Sequence, residues 1–293
     1  MIKWLPDVGP GDRAVDVAAR SLQTRLDAVR RYLKWSVERK DEPEHVHQLR
    51  VWTRRADAAL TLYADLLPKR CVRRLRKRLR KIRRVAGRVR DCDVLAARSG
   101  WTTKLQAERA RAYRKLVGRY ERLERGRRLK RWARRLLDRL RARNADRTEA
   151  FVDRGRDSLR PLVRAFFAAD PDAGSDPGDL HRFRIRAKRL RYAMELLAGA
   201  FPPSFRDELY PVVGTVQEKL GTVNDLNVAQ ARLEKKARRA ADAGALSDLR
   251  RRSAATGEDL ARACEEFGRW WTRDARDALR ERFDELLRTS GTN

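Results

Sequence analysis

The chain carries one stretch twice. Residues 46–66 read VHQLRVWTRRADAALTLYADL, and residues 180–200 read LHRFRIRAKRLRYAMELLAGA. Placing each residue n against n+134 gives an ungapped match from Val46/Leu180 to Ala97/Ala231, with thirteen identities in 52 positions. His47/His181, Arg50/Arg184, Arg55/Arg189, Gly87/Gly221 and Asp91/Asp225 are among them. Residue type also agrees at Leu49/Phe183, Arg54/Lys188 and Ile82/Val216. A rigid offset held over that length marks a duplicated structural unit, so the chain is expected to fold as two related halves.

The repeated segment has helical periodicity. At about 100° per residue, His181, Arg184, Lys188 and Arg191 share an arc of about 80°. Phe183, Ala187, Leu190, Met194 and Leu197 form an apolar arc on the opposite side. The first repeat sets His47, Arg50 and Arg54 against Leu49, Ala56, Leu60 and Tyr63. Burying the apolar arc directs the basic one outward. From His181 to Arg191 the basic strip spans about 15 Å at about 1.5 Å per residue, a length suited to an extended anion. Single cations of this kind are ordinary solvated residues, and recurrence in both repeats is what marks these. Asp57 stands where the second repeat has Arg191. A carboxylate beside a bound polyanion predicts a weaker strip in the first repeat.

Apolar rhythm predicts helices over about 14–40, 44–66, from Lys69 onward, and 103–141 with a tail interrupted at Asn144. A second set follows at about 148–168, 180–198, 204–242 and 248–288, with Gly244 between the last two. The run DPDAGSDPGD, 170–179, reads as the clearest loop. No β signal of usable length occurs. The expected fold is all-α: a single domain over 12–288 made of repeat one, 12–147, and repeat two, 148–288, each with the arithmetic of a four-helix bundle.

Lys and Arg number 71 against 41 Asp and Glu, a formal charge of +30. A charge of magnitude about 2–8 suffices for solubility in a small domain, so the excess points to a polyanionic partner: nucleic acid, anionic membrane or a polymer of phosphate. From Arg70 to Arg90 twelve of 21 residues are Arg or Lys and none is acidic. Val72, Leu75, Leu79, Ile82, Val85, Ala86 and Val89 keep an apolar stripe through this run, which predicts an ordered helix. With no acidic residue for i,i+4 relief, its cations need an external partner, and Arg73, Lys77, Arg80 and Arg84 join the candidate binding residues. Cys71, Cys92 and Cys264 show no paired spacing and read as buried thiols of a reducing compartment. The tryptophans read as helix-core residues. The start of the chain lacks an apolar run of signal-peptide length, and no window resembles a membrane span. A cytoplasmic protein without membrane insertion is expected.

Gly87 and Gly221 stand in helical sequence, each followed four residues later by an aspartate. A mid-helix glycine costs about 1 kcal/mol relative to Ala, so its recurrence suggests close packing or a local break. Asp91 and Asp225 are candidate supports for the motif arginines, or surface ion pairs. No phosphate-binding loop, zinc-protease helix, nucleophile elbow or paired-cysteine spacing is present. One His and one Asp per repeat make a poor metal set. No catalytic residue, metal ligand or cofactor is assigned.

HQLRVWTRR at 47–55 with GRVRDCDVL at 87–95, and HRFRIRAKRLRYAMELL at 181–197 with LGTVNDLNVAQ at 220–230, resemble the CHAD family, the conserved-histidine α-helical domain. The resemblance covers about 12–288. It implies two pseudo-symmetric four-helix bundles around a basic groove, binding of inorganic polyphosphate, and association with polyphosphate granules. It also implies a partner protein of the triphosphate-tunnel type. Matched to the family pattern, His47, Arg50, Arg54 and Arg55 are the binding residues of the first repeat, and His181, Arg184, Lys188, Arg189 and Arg191 those of the second. Asp57 departs from that pattern. Non-enzymatic polyphosphate binding is the resulting expectation. The alternatives are a nucleic-acid-binding protein, for which only non-specific charge speaks, and an accessory or metal-dependent phosphohydrolase.

Overall fold

The computed structural model describes residues 3–171, 176–240 and 242–288. Among the described residues the secondary structure is helical, without a sheet; one isolated bridge pairs Arg13 with Ala150. The chain divides into two compact units, Met1–Arg154 and Gly155–Asn293.

The first unit contains α1 (Ala14–Glu38), α2 (Pro43–Leu62), α3 (Lys69–Ser99), α4 (Thr103–Glu124) and α5 (Arg128–Arg143). Pro43 opens α2, where a missing N–H is harmless. α3 starts after Pro68 and buries Val72, Leu75, Leu79, Ile82, Ala86 and Val89, so its apolar stripe orders the densest charge in the chain. The Thr102 hydroxyl accepts the Leu105 N–H and caps α4. α2 packs between α1 and α3, α3 packs on α4, and α4 and α5 both pack on α1. The continuous helix expected over 103–141 is therefore two helices. A 3-10 turn at Arg125–Arg127 separates them, with Gly126 at its centre and Arg127 in the left-handed region at φ 50°. Asn144 ends α5, and its amide donates to the carbonyls of Leu140 and Leu66, tying that end to the turn after α2.

The second unit contains most of α6 (Phe151–Phe167), then α7 (Pro177–Leu197), α8 (Tyr210–Ala237), α9 (Ala243–Trp270) and α10 (Arg273–Leu287). Of the predicted loop 170–179, residues 172–175 lie outside the described residues, and Pro177–Asp179 already form the first turn of α7 under an Asp176 cap. A π-helical turn, Phe205–Leu209, leads into α8. Asp242 caps α9 by accepting the Ala245 N–H, which places Gly244 inside the helix instead of before it. The expected helix 248–288 breaks after Trp270. There Trp271 Nε1 donates to Asp170 Oδ1 at 2.6 Å, Arg276 Nη1 donates to Asp170 Oδ2 at 2.9 Å, and Thr272 caps α10. α7 packs on α8 and α8 on α9. Phe166 meets Phe183 at 4.8 Å between ring centroids, and Phe267 and Trp271 close on the same rings.

The apolar arcs are buried as their periodicity requires: Leu49, Ala56 and Leu60 on α2 with Tyr63 at its C-terminal cap, and Phe183, Ala187, Leu190, Met194 and Leu197 on α7. Two expectations need correction. Only Cys92 is fully buried among the thiols, while Cys71 and Cys264 are partly exposed. Among the tryptophans only Trp52 and Trp271 are buried. Others meet cations instead of core: Arg78 lies 3.6 Å above the Trp132 ring, and Arg109 lies 5.9 Å from that of Trp101, which is itself exposed. An arginine-rich surface supplies guanidinium faces for indoles that hydrocarbon would cover elsewhere.

Candidate anion-binding strips

α2 and α3 build the first strip together. His47, Arg50 and Arg54 are half-buried along the seam between the two helices, not on an outer face. A Cβ placed on Gly87 would run into Arg50 Nη1, so the Arg50 guanidinium rests against the α3 backbone where a side chain is missing. Gly87 is thus a point of close approach, and α3 runs through it without a break. Burial, and after it the charge of Arg54, disfavours the proton on Arg50; Asp91 favours it, and Arg83 and Arg90 oppose it. The His47 imidazole is likewise held below its ordinary value, first by burial and then by Arg90, Arg50 and Arg54, with Glu44 acting the other way. Cations gathered in a partly desolvated seam repel one another, and an incoming anion relieves that repulsion.

The carboxylate of Asp57 does not stand alone. Arg76 Nε donates to Asp57 Oδ1 at 2.7 Å, and Arg83 Nη2 lies 3.7 Å from Oδ2. The expected repulsive gap in the first strip is therefore neutralised from α3, which corrects the reading of Asp57 as a simple defect.

α7 and α8 repeat the geometry with different chemistry. Arg191, in the place of Asp57, donates from Nε to Gln217 Oε1 at 2.8 Å and from Nη1 to the Tyr210 hydroxyl at 3.3 Å. Tyr210 in turn donates to Glu195 Oε1 at 2.8 Å. The Asn224 amide donates to Asp225 Oδ1 at 3.3 Å, which turns Asn224 Oδ1 toward His181 Nδ1, 2.7 Å away. His181 then donates from Nδ1, and its Nε2 is an acceptor in the neutral ring and a donor only in the imidazolium. Arg184 Nε is buried with no acceptor among the described residues. Gly221 has open space where Gly87 has Arg50, and α8 passes through it unbroken.

Three positions on the helix that follows the motif helix in each repeat face it: Arg76, Arg83 and Arg90 on α3, and Tyr210, Gln217 and Asn224 on α8. Each pair obeys the 134-residue offset. These residues were missing from the sequence-based set. Arg73, Lys77, Arg80 and Arg84, chosen there, are exposed apart from that seam. The seven-residue spacing of Arg76, Arg83 and Arg90 on the face of Gly87 was the available signal.

The remaining candidates lie off the strips. Arg55 stands over the buried Trp52 ring at 4.8 Å. Arg189 is exposed. Asp91 acts electrostatically on Arg50, and Asp225 acts on His181 through Asn224. Among the described residues no group of three or more His, Cys, Asp or Glu side chains lies together that could hold a metal ion. No helix there is long and apolar enough to cross a membrane.

Comparison with known proteins adds fold and family. No curated protein matches the chain. The crystal structure of the CHAD domain from the plant Ricinus communis superposes with a TM-score of 0.66 at 22% identity, over 89% of this chain and 93% of that one. PptA from Streptomyces chartreusis superposes with a TM-score of 0.51 at 17% identity, over 95% of this chain and 100% of that one. At such identities these likenesses concern the fold alone. The CHAD domain family itself matches residues 20–234, a span that takes in both motif helices and both of their seam partners, and the chain belongs to that family.

Proposed function

We propose that this chain is a non-enzymatic module that binds inorganic polyphosphate. One observation carries the reading: the first repeat gathers His47, Arg50 and Arg54 with Arg83 and Arg90 in a seam between two helices, where His47 and Arg50 are partly desolvated against neighbouring cations. Membership of the CHAD family supports a polyphosphate-associated role. The seam arginines would offer charge-assisted donors to successive phosphate oxygens, with the helices holding them in place. Repeat one, 12–147, and repeat two, 148–288, would each act as a four-helix half with α4/α5 and α9/α10 as broken fourth members. Targeting to polyphosphate granules and pairing with a triphosphate-tunnel-type protein belong to the same proposal.

The test is calorimetric titration with long-chain polyphosphate and with duplex DNA at equal phosphate concentration and about 0.15 M salt. Polyphosphate is expected to bind at least about tenfold tighter, a gap of about 1.4 kcal/mol. Equal or tighter DNA binding overturns the proposal in favour of a non-specific nucleic-acid binder.

A further inference from the structure

The two repeats place their charge differently at one equivalent location. In the first, the motif helix carries Asp57 and the facing helix carries Arg76 and Arg83. In the second, the motif helix carries Arg191 and the facing helix offers Gln217 and Tyr210. We infer that Asp57 is a positioning residue: it holds Arg76, with Arg83 beside it, so that α3 supplies to the first strip the cations that α7 supplies to the second. The inference rests on the polyphosphate reading above and names residues that this reading did not include.

The geometry supports that role. Asp57 is mostly covered, its side chain 17% exposed, whereas Arg76 and Arg83 remain 37% and 25% exposed. Arg76 uses Nε on the carboxylate, which leaves its two terminal nitrogens for an anion in the fork geometry that suits phosphate. Arg83 also acts on Arg50, which itself lies on Gly87. Without the carboxylate, Arg76 would lose the acceptor that fixes its Nε, and its long side chain would have to be ordered again on binding.

Simple electrostatics and this inference predict opposite signs. Asp57→Asn removes one negative charge and so raises the net charge by one, and charge counting alone makes polyphosphate bind tighter. Positioning makes it bind about three- to tenfold weaker, with a shallower dependence on salt because fewer phosphates are neutralised. Asp57→Glu restores most of the loss. The triple variant Asp57→Arg, Arg76→Tyr, Arg83→Gln leaves net charge unchanged and gives the first repeat the second repeat's residues at these three positions. It is expected to bind within about twofold of the parent, whereas Asp57→Arg alone binds more weakly.

Titrations of parent and variants are read beside their melting curves. Absence of polyphosphate binding by the parent overturns the proposed function, and this inference with it. Binding by the parent with Asp57→Asn equal or tighter overturns the inference alone. If Asp57→Asn does not fold, the triple variant decides, and its loss of binding while folded overturns the inference.

Discussion

His47 shows how a residue in this site is tuned. In the unfolded chain an imidazole takes up its proton at about pH 6.5. In the folded chain burial leads the causes that lower that value, and Arg90, Arg50 and Arg54 add to it against Glu44. Between the two values the unfolded state binds more protons. The stability associated with a neutral His47 is therefore present above about pH 6.5 and is lost as pH falls toward the folded value. His47→Gln is expected to flatten this part of the profile when the thermal midpoint is followed downward from about pH 7; an unchanged slope counts against it. A bound polyanion would return the proton to the ring, so binding in that window takes up protons. Calorimetry in buffers of different ionisation enthalpy measures that uptake. His181 differs, since Asn224, itself held by Asp225, accepts its Nδ1 proton and leaves Nε2 able to donate only when the ring is charged.

At the scale of the helix, the two glycines separate packing from propensity. A methyl at Gly87 meets the far end of Arg50, a flexible group that moves aside without disturbing the backbone. Gly87→Ala is thus expected to keep the fold, displace Arg50 and weaken polyphosphate binding. Gly221 has no neighbour within 4 Å of such a methyl. Gly221→Ala should raise stability by up to about 1 kcal/mol through helix propensity, read as a higher midpoint in denaturant. Sequence periodicity was sufficient to find α2 and α7 and their apolar faces, but it directed the basic arc of α2 outward, whereas His47, Arg50 and Arg54 are half-buried against α3. It was insufficient for α3. That helix has cations on nearly every polar position, so its composition does not say which of them meet α2; the docking of α2 selects Arg76, Arg83 and Arg90. The breaks at Arg125–Arg127 and Trp271 were hidden for a different reason. The second depends on Asp170, 101 residues away from Trp271, reaching its indole.

For the molecule as a whole, a charge of +30 stores self-repulsion that salt screens. The free protein is expected to melt at higher temperature in about 0.5 M than in about 0.05 M sodium chloride, and long-chain polyphosphate at low salt should raise the midpoint further by mass action. A midpoint that is flat or falls with salt would mean that the ion pairs of the surface already compensate the charge. The exchange between Asp57 with its two arginines and Arg191 with Gln217 and Tyr210 also restricts how such a duplicated chain can change. Arginine at 57 alone would face Arg76 and Arg83, and aspartate at 191 alone would join Glu195 near an otherwise uncharged pair. Each single substitution passes through a mismatched state, so the effects of these positions cannot add, and the order in which they are replaced decides which intermediates remain functional.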